Sequence, residues 1–343
     1  MIILGTSPKE IKKAAAILKN GGLVAFPTET VYGLGADVFN TNALETIFEV
    51  KGRPRFDPLI IHIADLDTLE QVVFLDKLDS RHREQLYHLA DSLWPGPLTL
   101  VLPKQREVPD LATASLPTAA IRFPSHPVAR SLIAYSGAVA APSANRFGCL
   151  SPTRAEHVSE MLGHVIDCLI DGSPCTVGVE STVLELVPLP RILRPGGISR
   201  EQLEAVIGPV LESSKPGTEQ LAAPSPGMLQ THYAPGIPLF LYTTEEITIL
   251  PYYQNQGYLF FSGKSRDQWL SQTNVGQLSD ICLTEHIFTL SETAVVTEAA
   301  ANLFQFLHLL DKSGVTSINA ETVPAEGVGA AINDRLQRAA FKL

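Results

Sequence analysis

Short, wholly apolar runs recur through the N-terminal part of the chain, and they constrain its fold more than any other feature. Leu23-Val24-Ala25-Phe26 and Pro58-Leu59-Ile60-Ile61-His62-Ile63 come first; 98–102, 119–123, 138–141, 165–170 and 182–187 follow. Such runs, lacking polar alternation, belong to strands buried on both faces, which need helices to cover them. Helical spacing lies between several of them. Ser7-Pro8-Lys9-Glu10 reads as a capping box with proline at the first helical position; Ile11, Ala14, Ala15 and Leu18 follow, and Gly21-Gly22 stops the helix. A second helix starts near Asn42 and runs through Leu44, Ile47 and Phe48 to Lys51; another covers 154–162, where Thr153 and Glu156 read as its cap. The alternation predicts a largely buried, mixed α/β sheet.

A chain of 343 residues exceeds the size at which one core stops growing, so two domains are expected. The texture changes at 209–236, which holds five prolines and three glycines without periodicity and reads as a linker. The expected division is therefore 1–208, a linker over 209–236, and 237–343. Beyond the linker, 238–243, 257–261 and 316–319 read as strands. An amphipathic helix is expected over 292–312 and a terminal helix over 330–341, which makes a smaller α/β domain.

Charge excludes some classes of function. Lys and Arg number 26 against 36 Asp and Glu, giving −10; up to Gly208 there are 19 basic and 23 acidic residues, and 7 and 13 beyond it. Neither part has the basic excess of a protein that mainly grips nucleic acid, so no stable nucleic-acid complex is expected. No apolar run reaches the ~20 residues of a membrane span, and Met1-Ile2-Ile3-Leu4 is too short for a signal-peptide core. The four cysteines, Cys149, Cys168, Cys175 and Cys282, show no C-x-x-C spacing and read as buried thiols in a reducing cytoplasm.

Several familiar patterns fail. Gly257 and Gly263, before Lys264-Ser265, are separated by five residues where a phosphate-binding loop has four, so a strand-ending turn is expected. Gly33-Leu34-Gly35 and Gly327-Val328-Gly329 lack the third glycine of a dinucleotide fingerprint. Neither zinc spacing among the histidines nor a G-x-S-x-G elbow is present.

What remains is a set of loops beside the buried strands. Pro27-Thr28-Glu29-Thr30-Val31-Tyr32-Gly33-Leu34-Gly35 places hydroxyls and a carboxylate where open α/β sheets bind ligands, and reads equally as a turn-rich connection. Lys51-Gly52-Arg53-Pro54-Arg55 combines a mobile ammonium with planar guanidinium forks, a pairing suited to phosphate oxygens and also compatible with a solvated basic turn. His62 is a polar residue amid apolar neighbours, a pattern shared by satisfied core histidines. Ser143 and Asn145, two apart on an extended segment, share a face. Glu180-Ser181-Thr182 and Arg194-Pro195-Gly196-Gly197 complete the set.

Read in order, PTETVYGLG, KGRP, PLIIHI, WPGPLT, IRFP, PSAN, SPT, GVEST, LRPG, SPG, HYAP and GVGAAINDRLQRA closely resemble the threonylcarbamoyl-AMP synthase family in its long, two-domain form. The resemblance implies a YrdC-like twisted mixed sheet flanked by helices, plus a smaller Rossmann-like α/β C-terminal domain. It implies an enzyme that converts L-threonine, bicarbonate and ATP, with Mg²⁺, to threonylcarbamoyl-AMP and pyrophosphate. This is the first step toward N(6)-threonylcarbamoyladenosine in tRNA, with a downstream threonylcarbamoyl transferase complex as a transient partner.

By the same resemblance Lys51 and Arg53 are catalytic. Together with Asp57, Thr118, Ser143, Asn145, Ser151, Arg194 and Tyr233 they bind ATP. Thr30, His62, Arg122, Ala141 and Ser181 bind threonine, Arg122 through the carboxylate. Mg²⁺ is expected to arrive with ATP near Ser143 and Asn145 rather than in a protein cage, and no general base is assigned. The linker, ending in His232-Tyr233-Ala234-Pro235, is expected to act as a lid. Long-form relatives often carry basic residues where this chain has Met228-Leu229-Gln230-Thr231, which weakens any phosphate contact expected there. The competing reading is an RNA-binding or ribosome-maturation module; a carbamoyl transferase resembling hydrogenase-maturation proteins ranks last.

Overall fold

The structure, a computed structural model, describes residues 1–212, 233–273 and 286–340. Most of the expected linker, with 228–231 and His232, and Cys282 lie outside the described residues. By its internal contacts the chain divides into two compact units. The first comprises Met1–Phe147, Ser151–Thr176 and the chain from Glu180; the second takes Gly148–Leu150, Val177–Val179 and the C-terminal part.

The strands of the first unit are β1 (Ile2–Leu4), β2 (Val24–Phe26), β3 (Gly33–Asp37), β4 (Ile60–His62), β5 (Leu98–Pro103), β6 (Thr118–Arg122), β7 (Val139–Ala140), β8 (Cys168–Ile170), β9 (Thr182–Glu185), β10 (Arg191–Arg194) and β11 (Leu211–Glu212). Among the described residues they form one sheet in the order β1-β8-β2-β3-β7-β4-β6-β5-β9-β10-β11. β4 and β6 are parallel, as are β5 and β9, whereas β5 runs antiparallel to β6 and β10 to β9. The central strands are buried on both faces. Ile61, Leu100, Ile121 and Leu184 enter the main core, while Ile60, Val101, Ala120 and Val183 pack with Leu193. Each Val, Leu and Ile among them contributes about 1.5–3 kcal/mol of burial.

Local signals set several boundaries. Ser7 caps the helix Pro8–Lys19 by accepting from the Glu10 amide, and Asn40 caps Thr41–Lys51 through the Ala43 amide. Other expectations are corrected. Gly33-Leu34-Gly35 is the start of a strand rather than a loop, because β2 and β7 both offer it ladder partners. Gly35 makes this possible, since a Cβ there would stand 2.7 Å from Val139 Cγ1. Thr153 does not cap Ala155–Leu162; Arg154 occupies the cap position without a side-chain bond, and Thr153 Oγ1 is buried without a hydrogen-bond partner.

The second unit contains β12 (Leu239–Tyr242), β13 (Gln256–Ser262), β14 (Ile287–Ser291) and β15 (Ser317–Glu321), all parallel, in the order β12-β15-β13-β14. Helices Thr244–Ile247, Gly263–Gln272, Val296–Lys312 and Gly329–Ala340 alternate with them, giving a Rossmann-like arrangement. The glycine-bracketed stretch before Lys264-Ser265 is not a turn: β13 runs directly into a helix capped by Ser262. Among the described residues no helix is long and apolar enough to cross a membrane; Cys168 and Cys175 are buried free thiols, and Cys149 is only partly buried.

Candidate active site

A row of polar side chains crosses one face of the first sheet. His62 on β4 stands opposite Arg122 on β6, and Arg122 opposite Thr99 on β5. Thr99 pairs with Val183 on β9, which in turn pairs with Arg194 on β10. Residues paired across a ladder project from the same face, so the register aligns His62, Arg122 and Thr99, and a register shift between Ile192 and Arg194 sets Arg194 opposite Val183. The apolar cluster of Ile60, Val101, Ala120, Val183 and Leu193 continues that face. Because the sheet is mixed, the row gathers the carboxyl ends of β4, β6 and β10 with the amino ends of β5 and β9, not carboxyl ends alone.

Arg122 is buried and donates from Nη2 to Glu29 Oε1 at 2.7 Å. Glu29 Oε2 accepts the Ser125 amide at 3.1 Å. Arg122 Nε is buried without a hydrogen-bond partner. His62 is wholly buried, its Nδ1 lies 3.1 Å from the Ile60 carbonyl, and Phe26 meets its ring edge-on at 6.2 Å. Burial first, then the Arg122 charge, pulls its pKa down to about 3, so the imidazole is neutral at pH 7.

The row continues into the loops after β8 and β10. Ser181 Oγ lies 2.7 Å from Thr99 Oγ1, and Arg194 Nη2 reaches the Ser181 carbonyl at 2.9 Å and its hydroxyl at 3.2 Å. Ser151 donates to Glu180 at 2.5 Å. The Arg194 loop presses against this segment so closely that a Cβ on Gly196 would stand 2.2 Å from the Thr182 amide, and only glycine fits.

Two further cations are buried in the same unit. Lys51, the last residue of its helix, donates to the carbonyls of Ser143, at 2.6 Å, and Asn145. This binds the loop after β7 to the helix end, reinforced by the Phe147 amide donating to the Lys51 carbonyl. Arg53 pairs with Asp57 at 2.9 Å and donates to the Asp57 and Pro58 carbonyls. Asp57 therefore holds Arg53 in place.

The remaining residues named from the sequence fall as follows. Thr30 is buried, its hydroxyl 2.9 Å from that of Thr28. Ala141 donates its amide to the Ile60 carbonyl at 2.8 Å. Ser143 bridges to Gly33, linking the loop after β7 to β3. Thr118 opens β6, at the end opposite Arg122 and some ~13 Å along the strand, so it does not join the row. Tyr233 belongs to the second unit, where its ring is buried 5.8 Å from Phe304 and 4.9 Å from the Arg335 guanidinium. The sequence reading did not single out Thr99, and it gave Glu29 no role of its own beyond the carboxylate of the loop after β2. Among the described residues no cluster of three or more His, Cys, Asp or Glu could hold a metal ion. Burial pushes the Cys175 thiol up to about 12, which makes it inert as a nucleophile at neutral pH.

Residues 16–196 match the family described as "Telomere recombination", and residues 198–341 match "Threonylcarbamoyl-AMP synthase, C-terminal domain". The chain is 43% identical to threonylcarbamoyl-AMP synthase of Bacillus subtilis, over 98% of this chain and 94% of the relative. It is 41% identical to that of Pyrococcus abyssi, over 96% and 94%. The crystal structure of P. abyssi Sua5 complexed with L-threonine superposes with a TM-score of 0.83 at 37% identity, covering 99% of this chain and 98% of that one. Fold and full-length similarity agree: this chain belongs to the threonylcarbamoyl-AMP synthase family in its two-domain form.

Proposed function

We propose that the protein is a nucleotidyltransferase that joins L-threonine, bicarbonate and ATP into threonylcarbamoyl-AMP and pyrophosphate, in the cytoplasm. The observation that carries this reading is the buried row itself: a neutral imidazole beside a guanidinium whose Nε–H has no partner, ending at the buried Arg194. A buried donor left open is the mark of a missing acceptor, and an amino-acid carboxylate supplies one.

The chemistry has two steps. The neutral amine of threonine attacks the carbon of bicarbonate; a C–N bond forms and water leaves. A carbamate oxygen then attacks the α-phosphorus of ATP, and the bond to the pyrophosphate oxygen breaks. Two like charges at ~4 Å repel by about 4 kcal/mol at an effective dielectric near 20, so the approach needs cations. Lys51, Arg53 and Arg194 take that role, with Lys51 and Arg53 acting on the charge that develops in transfer. Arg122 orients threonine through its carboxylate, and Thr30, His62, Ala141 and Ser181 surround the rest of it. Ser143, Asn145 and Ser151 line the nucleotide, which brings Mg²⁺ with it. The hydroxyl and amide oxygens there are neutral donors of a kind Mg²⁺ takes alongside phosphates and water. Thr118 lies at the other end of its strand from Arg122, and no step is assigned to Thr118 or Tyr233.

The product is a mixed anhydride open to hydrolysis, which suits prompt consumption by a threonylcarbamoyl transferase acting on tRNA. Incubation with ATP, Mg²⁺, labelled bicarbonate and threonine, followed by chromatography, tests the reading. A labelled adenylate formed in step with pyrophosphate is expected; pyrophosphate release independent of threonine would overturn it.

A further inference from the structure

We infer that Glu29 is a positioning residue for the amino acid: it fixes the Arg122 guanidinium so that Nε–H is presented to the substrate carboxylate. The inference rests on the function proposed above and deepens it.

Glu29 is 5% exposed and Arg122 4%, so the pair is buried. The carboxylate is held from two sides, by Arg122 Nη2 at 2.7 Å on one oxygen and by the Ser125 amide at 3.1 Å on the other. Both donors come from β6 and the turn that follows it, more than ninety residues away in sequence. Glu29 thereby ties the loop after β2 to the strand that carries the site's guanidinium. An arginine side chain has four soft dihedrals and would otherwise wander; the bond at Nη2 anchors the planar head and fixes the direction of Nε–H.

The pair is incomplete as a purely structural one. A buried guanidinium held only for stability would have its donors satisfied, yet Nε is buried and unpartnered. The negative charge of Glu29 also turns an isolated buried cation into a dipole, a better match for a zwitterionic amino acid than a bare positive charge. With both oxygens already accepting, Glu29 is poorly placed to take a proton, so positioning and not base catalysis is its role.

The test measures pyrophosphate release by the full-length protein, with threonine varied at saturating ATP and bicarbonate, then ATP varied at saturating threonine. Glu29→Gln is expected to raise the KM for threonine at least tenfold and to change that for ATP less than twofold; Glu29→Asp should fall between it and the unaltered protein. In an Arg122→Lys background, Glu29→Gln should add little, because its effect passes through the planar fork. A purely structural role would move both KM values together and leave the two substitutions additive. Either result, or an unchanged threonine KM, overturns the inference. If Glu29→Gln does not fold, Glu29→Asp carries the same comparison. An unaltered protein that makes no threonylcarbamoyl-AMP would instead overturn the function, so the two failures are distinguishable.

Discussion

In the second unit, the loops after β12, β13 and β15 surround a cavity of about 460 Å³ lined by Thr243, Ser262, Lys264, Gln268 and Glu321 among others. Its place beyond the carboxyl ends of parallel strands, beside a helix start, is where a Rossmann-like sheet commonly takes a ligand. Yet the buried Glu321 carboxylate accepts from Thr244 Oγ1 at 2.7 Å, the Phe261 amide at 2.7 Å and Ser265 Oγ at 2.6 Å. The chain supplies its own anion at the start of the helix. In the first unit the buried Arg122 has one partner on Nη2 and none on Nε. The two regions therefore differ in whether their buried polar groups are already satisfied, a difference that position in the fold does not reveal.

That contrast can be broken by substitution. Arg122→Ala should lower kcat/KM for threonine by about 10²–10³, the usual cost of truncating a buried, hydrogen-bonded charge; a loss below tenfold in a threonine titration would place recognition elsewhere. Glu321→Ala should instead cost about 2–3 kcal/mol of stability in urea unfolding and leave the threonine KM within twofold. A specific rise in that KM would erase the distinction between the two regions. Serine lacks one methyl, worth about 1–3 kcal/mol in a fitted pocket, so it should be turned over measurably but less efficiently than threonine. Equal efficiency would contradict such a pocket.

Two smaller effects sharpen the account of the row. Gly196→Ala forces the Arg194 loop away from the Thr182 amide and should reduce kcat about tenfold, roughly 1.4 kcal/mol. His62 is neutral in the fold down to about pH 3, whereas its unfolded counterpart takes up a proton near 6.5. Between those values the unfolded state binds more protons, so this group makes stability fall as pH drops, by at most about 1.4 kcal/mol per pH unit. His62→Gln should flatten the dependence over that window; an unchanged slope would show that His62 is not the neutral group described.

Much of the fold was legible because the central strands are apolar on both faces, which a local pattern reveals. β3 and β10 were not, since glycine in one and terminal arginines in the other hide the pattern, and neighbouring strands decide the outcome. His62 stood out as a polar residue in an apolar run. Thr99 is the same kind of exception, but threonine is a good strand former and so gives no contrast. Glu29 lay within a motif read as functional, yet its partners Arg122 and Ser125 are remote in sequence, and nothing local announces a long-range ion pair. Asp57 was named with the ATP-binding residues, and its pairing with Arg53 at 2.9 Å is the part that a local pattern does not announce.

The most direct test of the central claim is a crystal structure with threonine and a non-hydrolysable ATP analogue bound. The account predicts the threonine carboxylate within hydrogen-bond distance of Arg122 Nε, with the Glu29 contact retained. Threonine bound away from the row, with Arg122 still held by Glu29 alone, would contradict it.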